Sequence, residues 1–245
     1  MAFPIRLEVA LPGCHPASHP GRVSTRTLPP VAPLSPSARS TIRRGATRAR
    51  ADRAELYAAL DAGLVCHLGI VLDGAPVVLP TIYGRDGDTL YLHGSTGAGT
   101  LRAAAAGAPV CVTVTHVDGI VYARSVFHHS MNYRSAVVHG RARLVTDGTE
   151  RLAGLRAVTE HVAPGSWDHA RRPTRKELAA TAVLAVDLAE ASLKVRTGPP
   201  VDDADDVAAA GRWAGVVPVD PVFGAPQPCP LLPPDAPIPP HITSR

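Results

Sequence analysis

The 245-residue sequence predicts one mainly β domain with flanking helices, a six- to seven-stranded antiparallel barrel, set between two irregular tails. Three observations carry this. Apolar, β-branched runs are joined by Asp-Gly pairs, the strongest short-range hairpin signal. No strand–helix–strand rhythm of a parallel sheet is present, which excludes a Rossmann-type fold. Proline is segregated: 8 of the 25 lie in residues 1–50 and 12 in residues 199–245, leaving 5 for residues 51–198. Dense proline removes donors and fixes φ, so regular structure concentrates in the middle. The boundaries expected are a Pro/Arg-rich tail over 1–35, a folded domain over 36–219 and a Pro-rich tail over 220–245.

Along the chain, residues 51–62 place Leu56 and Leu60 four apart before Gly63, a short amphipathic helix with a stop. LVCHLGIVL, Asp73-Gly74 and APVVLPTIY form a hairpin, with Pro80 marking an edge or a bulge. TLYLHG (89–94) is a third strand. Ser95 or Thr96 caps a helix running to about Gly107. PVCVTVTHV, Asp118-Gly119 and IVYARSVF read as a second hairpin, and residues 135–145 as a sixth strand. A helix over 148–163, a polar loop or broken helix over 164–179, and strands at 181–189 and 192–196 complete the domain.

Charge follows the same partition. Residues 1–50 carry 8 Arg against Glu8, residues 51–198 carry 15 cations against 14 acids, and residues 199–245 carry 2 against 6. The basic character belongs to the tail, so no specific nucleic-acid partner is expected. Cys14, Cys66, Cys111 and Cys229 are dispersed without a C-x-x-C, which disfavours a disulfide framework or zinc ribbon and fits reduced thiols in the cytoplasm. No apolar run reaches the ~18 residues of a membrane helix, so no membrane partner is expected.

Three segments can carry chemistry. His93 to Thr100 (HGSTGAGT) is a small-residue junction with hydroxyl donors, suited to a phosphate. Phe127 to Arg134 (FHHSMNYR) concentrates polar and aromatic side chains. Adjacent His on a strand point to opposite faces, so hydrogen bonding to a polar heterocycle is expected there and not a metal site. Lys194 and Arg196 share a strand face and could clamp an anion. No G-x-S-x-G or Walker motif occurs.

Taken together, residues 64–83, YLHGST (91–96), SVFHHSMNYRSAVVHG (125–140), SLKVRTGPP (192–200) and RWAGVVPV (212–219) resemble the flavin-nucleotide-binding branch of the pyridoxamine 5′-phosphate oxidase-like family. The resemblance spans about residues 36–219 and implies the FMN-binding split-barrel fold, a homodimer and a flavin at the subunit interface. It implies that the flavin ring lies along Val77 to Thr81, with Val78, Leu79, Pro80 and Thr81 in contact, and that the phosphate meets His93, Ser95 and Thr96. Partner-side contacts would come from His129, Ser130, Asn132 and Tyr133, with Lys194 and Arg196 near the flavin. An FMN-dependent oxidoreductase acting on a small molecule is the implied activity, with His93 or His129 as the candidate proton donor. A non-catalytic flavin carrier, or the same groove filled by deazaflavin or haem, is the alternative. One departure stands out. Where the vitamin B6 oxidases place an Arg-Lys pair in the phosphate loop, this sequence has Gly97 and Ala98, which argues against vitamin B6 oxidation.

Overall fold

The structure, a computed structural model, describes residues 33–244. Nearly all of the expected N-terminal tail, with Cys14, lies outside them. The elements run β1 (Ala49–Arg50), α1 (Arg53–Asp61), β2 (Cys66–Leu72), β3 (Ala75–Thr81), β4 (Tyr83–Asp86), β5 (Thr89–Ser95), α2 (Gly99–Ala105), β6 (Pro109–Tyr122), β7 (Ser130–Arg141), β8 (Arg143–Leu144), α3 (Gly148–Val162), α4 (Ser166–His169), α5 (Arg175–Ala180), β9 (Thr181–Asp187), β10 (Ala191–Arg196), α6 (Ala204–Ala208), β11 (Gly215–Pro218) and α7 (Pro240–Thr243).

Every strand pairing is antiparallel, but the strands form two sheets and not one closed wall. The larger runs β1-β10-β7-β6-β2-β3, with β11 added beside β6, and the smaller runs β4-β5-β9-β8. This is the split form of the predicted barrel. The alternation of β2, β6 and β7 sends Leu68, Ile70, Val112, Val114, Ala136 and Val138 into the interior, where they meet Leu90, Leu92, Leu184 and Val186 of the smaller sheet. α1 closes one end. Asp52 caps it by accepting from the Ala54 N–H at 2.8 Å, and Leu56 and Leu60 are fully buried beneath it.

The first Asp-Gly pair forms its hairpin, with Asp73 and Gly74 at φ 50° and 79°, both positive as a type I′ turn requires. The second does not. β6 continues through Asp118-Gly119 as a 14-residue strand with a register shift between Val117 and Gly119. Two tertiary contacts override the turn chemistry there. The Asp118 carboxylate accepts from the Arg134 guanidinium on β7, at 2.9 Å from Nη2, and β11 lies so close that a Cβ on Gly119 would stand 2.9 Å from Val216. The pair makes a bulge. A second correction concerns α2. Ser95 and Thr96 do not cap it; it begins at Gly99 after Ala98, with no side-chain cap.

Candidate functional site

The predicted site residues fall into two groups. β3 is the edge of the larger sheet, paired only with β2 among the described residues, and Val78 and Leu79 are exposed. Pro80 sits opposite His67 on this edge strand, where a residue without an N–H is tolerated. The chain crosses at Thr81 and Ile82 into β4, whose Tyr83 pairs with Leu92. That register sets Leu92, and with it the start of the His93 to Thr96 junction, beside Tyr83, two residues past the end of β3. In the turn that follows, Ser95 Oγ accepts from the Gly97 N–H at 3.1 Å and the Thr96 N–H donates to the Ala180 carbonyl at 3.0 Å. A side chain at Gly99 would meet nothing, so this junction is open, and residues 94–99 carry no cation.

The second group lies on β7 and β10, three and four strand spacings from β3, roughly 14 and 19 Å along the sheet. The register pairs Arg196 with Tyr133 and Lys194 with Ser135. Arg196 is buried at 7 % exposure and Asn132 at 9 %. The Arg196 guanidinium donates to Asn132 Oδ1 at 2.5 Å and to the Gly198 and Pro199 carbonyls, while Asn132 Nδ2 donates to Gly198 O at 3.2 Å. Both side chains are therefore engaged in pinning the turn after β10. Burial, followed by the Arg48 charge, pushes the Arg196 pKa down. Lys194 Nζ donates to the Arg44 carbonyl at 2.8 Å. His129 Nδ1 bonds the Ser125 carbonyl at 3.1 Å, and its ring meets Tyr122 edge-on at 5.7 Å. Ser130 and Tyr133 stay half-buried. Within one chain the two groups do not meet.

A third place was not foreseen from sequence. Between α3 and α5 lies a cavity of about 350 Å³ lined by His93, Leu155, Thr159, Trp167, Leu178 and Thr181, with Arg171 and Arg172 at its margin. Leu155 and Thr159, four residues apart on α3, line this cavity, while Arg151 one turn earlier lines the neighbouring depressions and donates to the Leu178 carbonyl and, at 2.5 Å, to the Thr181 carbonyl. His93 Nδ1 and Arg151 Nε are the two buried side-chain nitrogens without a hydrogen-bond partner among the described residues. Burial lowers the His93 pKa, so its imidazole is neutral at neutral pH, the form that accepts a proton or ligates a metal. α5 is held from outside. Thr174 and Glu177 form a capping box, and Arg171 meets the Glu177 carboxylate at 2.8 Å. Arg171, with help from Thr174, holds the Glu177 carboxyl at about 2. The Arg172 guanidinium lies 4.6 Å over the Trp167 ring. The polar residues on the α3 stripe were the available sequence signal, but the pattern of residues 148–163 says only that a helix forms.

Comparison with known proteins gives a consistent assignment. The family model described as pyridoxamine 5′-phosphate oxidase matches residues 52–195. The flavocytochrome Anf3 from Azotobacter vinelandii is 40 % identical with a TM-score of 0.81, covering 86 % of this chain and 98 % of its own. The FAD and haem binding protein from Mycobacterium smegmatis is 42 % identical with a TM-score of 0.77, covering 80 % of this chain and 96 % of its own. No curated protein matches.

Proposed function

This chain belongs to the pyridoxamine 5′-phosphate oxidase family, and from that premise we propose that it is a two-cofactor redox protein holding a flavin, specifically FAD, together with haem. The observation that carries the reading is identity of 40 % and 42 % over nearly the whole length of two proteins described as a flavocytochrome and as FAD and haem binding. When bound, the pair exchanges electrons between a small-molecule donor and an acceptor, the flavin accepting two and the iron one at a time.

The residues present fit both groups. For the flavin, the edge of β3 offers unpaired backbone to a heterocycle, and the open turn at Ser95 to Gly99 follows β5, the strand that pairs with β4. A dinucleotide extends past this turn beyond the first phosphate, where Gly97 and Gly99 leave room for it. For the haem, the His93 imidazole is neutral, lines a cavity and has no partner among the described residues. A second copy of the chain would complete the flavin site by bringing its His129–Tyr133 segment to the β3 edge, which one chain leaves about 14 Å away. Val71 and Val78, 61 % and 62 % exposed on the β2–β3 hairpin, are apolar surface of the kind such a homodimer covers.

The test is the absorbance spectrum of purified full-length protein, before and after incubation with FAD, FMN and haemin and desalting. Flavin and Soret bands together, FAD in the acid extract, and haem that leaves with solvent are expected. Solvent extraction follows from the absence of a C-x-x-C attachment motif. A protein that retains neither group rejects the reading. FMN in the extract corrects the nucleotide alone.

A further inference from the structure

We propose that the outward face of the larger sheet, from the β2–β3 hairpin to β11, is the surface on which two copies of this chain pack face to face, the β11 end of one on the β2 end of the other. The inference deepens the homodimer of the reading above and rests on that part of it.

The first support is a face without charge. An antiparallel sheet with one side in water ordinarily carries polar and charged residues there. The outward positions of β6 are Cys111, Thr113, Thr115 and Val117 and, past the bulge, Ile120 and Tyr122, none of them Asp, Glu, Lys or Arg. At one end of this face Val71 and Val78 of the hairpin are 61 % and 62 % exposed, and at the other Trp213 and Met131 are 67 % and 44 % exposed. Tyr, Trp and Met are enriched, and charged residues depleted, in the cores of protein interfaces.

The second is the purpose of the bulge. Up to Val117 the buried residues of β6 are Val110, Val112 and Val114, and beyond it they are Gly119 and Val121. One extra residue, Asp118, shifts the alternation by one and turns Ile120 and Tyr122 outward, where a regular strand would bury them. The Asp118–Arg134 pair at 2.9 Å holds that shift. The Trp213 indole lies over Gly215, where a Cβ would stand 2.8 Å from the ring, and its centroid is 5.9 Å from that of Tyr122. The fold therefore fixes large aromatic rings in a position that leaves them in solvent.

The third is geometry, which selects a second copy as the occupant. β7 takes one edge of β6 along nearly its whole length, so β2 and β11 share the other, β2 at Val110–Thr113 and β11 at Gly119–Tyr122. His116 lies midway between these pairings. A two-fold axis crossing the strand there lays β11 of each copy on β2 of the other. The two ends differ in shape as that contact requires: Trp213, Tyr122 and Met131 are bulky, whereas Gly69, Pro76 and Pro80 on the hairpin keep a low surface. Val112 and Val121, within the two pairings, are nine residues apart, roughly 30 Å, so one chain cannot bring its own ends together. The 14 residues of β6 make the face ~45 Å long and strands β3, β2 and β6 make it ~14 Å wide, roughly 600 Å² in projection and comparable with the ~800 Å² of accessible surface that each partner of a stable complex buries. No charge on this face selects a foreign partner of opposite sign, and homodimer interfaces are the more apolar class.

Sedimentation equilibrium of the full chain tests this, with flavin and haem quantified separately. Wild type should be a dimer. Val71→Lys and Trp213→Glu place a charge at either end and should each weaken the dimer at least about tenfold, with wild-type circular dichroism because both side chains are mostly exposed. The double variant should return to within about threefold of the wild-type dissociation constant, because each new ammonium then meets a new carboxylate across the two-fold axis. A double variant weaker than either single one means that like ends meet, and overturns the pairing of β11 with β2. An equal loss in Leu152→Glu, on α3 away from this sheet, overturns the choice of face. A monomeric wild type overturns the inference, and the face then serves a different protein or another segment of the chain. A dimer that behaves as described and retains neither cofactor rejects the two-cofactor reading alone.

Discussion

α3 presents two stripes that were built to opposite standards. Gly154, Ala157, Val158 and His161 press onto the smaller sheet with no room to spare. A Cβ on Gly84 of β4 would run into the backbone of Ala157 and Val158, and one on Gly154 would stand 2.7 Å from the Tyr91 ring. The polar groups here are satisfied. The Tyr83 hydroxyl donates to the Leu60 carbonyl, with the Gly63 carbonyl sharing the proton at 3.2 Å, and the His161 ring packs on Tyr83 at 4.5 Å between centroids. The other stripe, Arg151, Leu155 and Thr159, borders a cavity and two orphaned nitrogens. The same helix thus separates scaffold from site. Where packing is complete and every polar atom is paired, the sequence serves stability. Where neither holds, the surface is a candidate for function rather than for stability.

The contrast can be broken at its tight side first. Gly84→Ala forces a methyl into the α3 backbone, which cannot yield as a side-chain tip would, and should cost about 3 kcal/mol or prevent folding. Urea unfolding reads this directly, and a wild-type midpoint would mean that α3 is not seated as described. Next comes Tyr83→Phe, which keeps the ring but removes the buried O–H shared between the Leu60 and Gly63 carbonyls. A loss of about 1–2 kcal/mol is expected in the same assay.

On the open side the sign should reverse. His93→Leu replaces an unpartnered polar ring by an apolar one, so the cofactor-free protein should be as stable as wild type or more so by thermal unfolding. A clear loss of stability would show that His93 has a structural partner. The smallest effect is expected from Glu177→Gln, an exposed capping residue of α5. Its carboxyl is held at about 2 against an ordinary 4.5, chiefly by Arg171. A lowered folded-state pKa contributes stability that is complete above the ordinary value and is lost as pH falls through the lowered one. Amide exchange in α5 of the wild type should therefore quicken between pH 4.5 and 2, after allowance for intrinsic rates, and that acid dependence should vanish in the variant. The contact of Gly84 with the Ala157–Val158 backbone carries no ionisable side chain and should not follow it.

How much was legible follows from which signals are local. Alternation in residues 66–72 and 109–117 and the Asp73-Gly74 turn depend on neighbours in sequence, and they predicted the antiparallel strands and the edge position of Pro80 correctly. Family resemblance, which rests on short segments such as YLHGST and SLKVR, extended this to the split barrel. The same local signal failed at Asp118-Gly119, because Arg134 and β11 are remote in sequence and turned a hairpin code into a bulge. It failed again at Ser95 and Thr96, whose cap positions lost to a turn closed by Ser95 Oγ on Gly97.

For the site the division is sharper. The sequence by itself determined that a mainly β domain lies between proline-rich ends and that His93, the Ser95–Thr96 turn and the 127–134 segment carry polar chemistry. Tertiary structure alone decided that Asn132 and Arg196 spend their hydrogen bonds on a turn, and that His93 lines a cavity with residues from 155 to 181. The reason is physical: residue type and spacing specify what a side chain can bond, whereas burial and the nearest partner across the fold determine what it does bond.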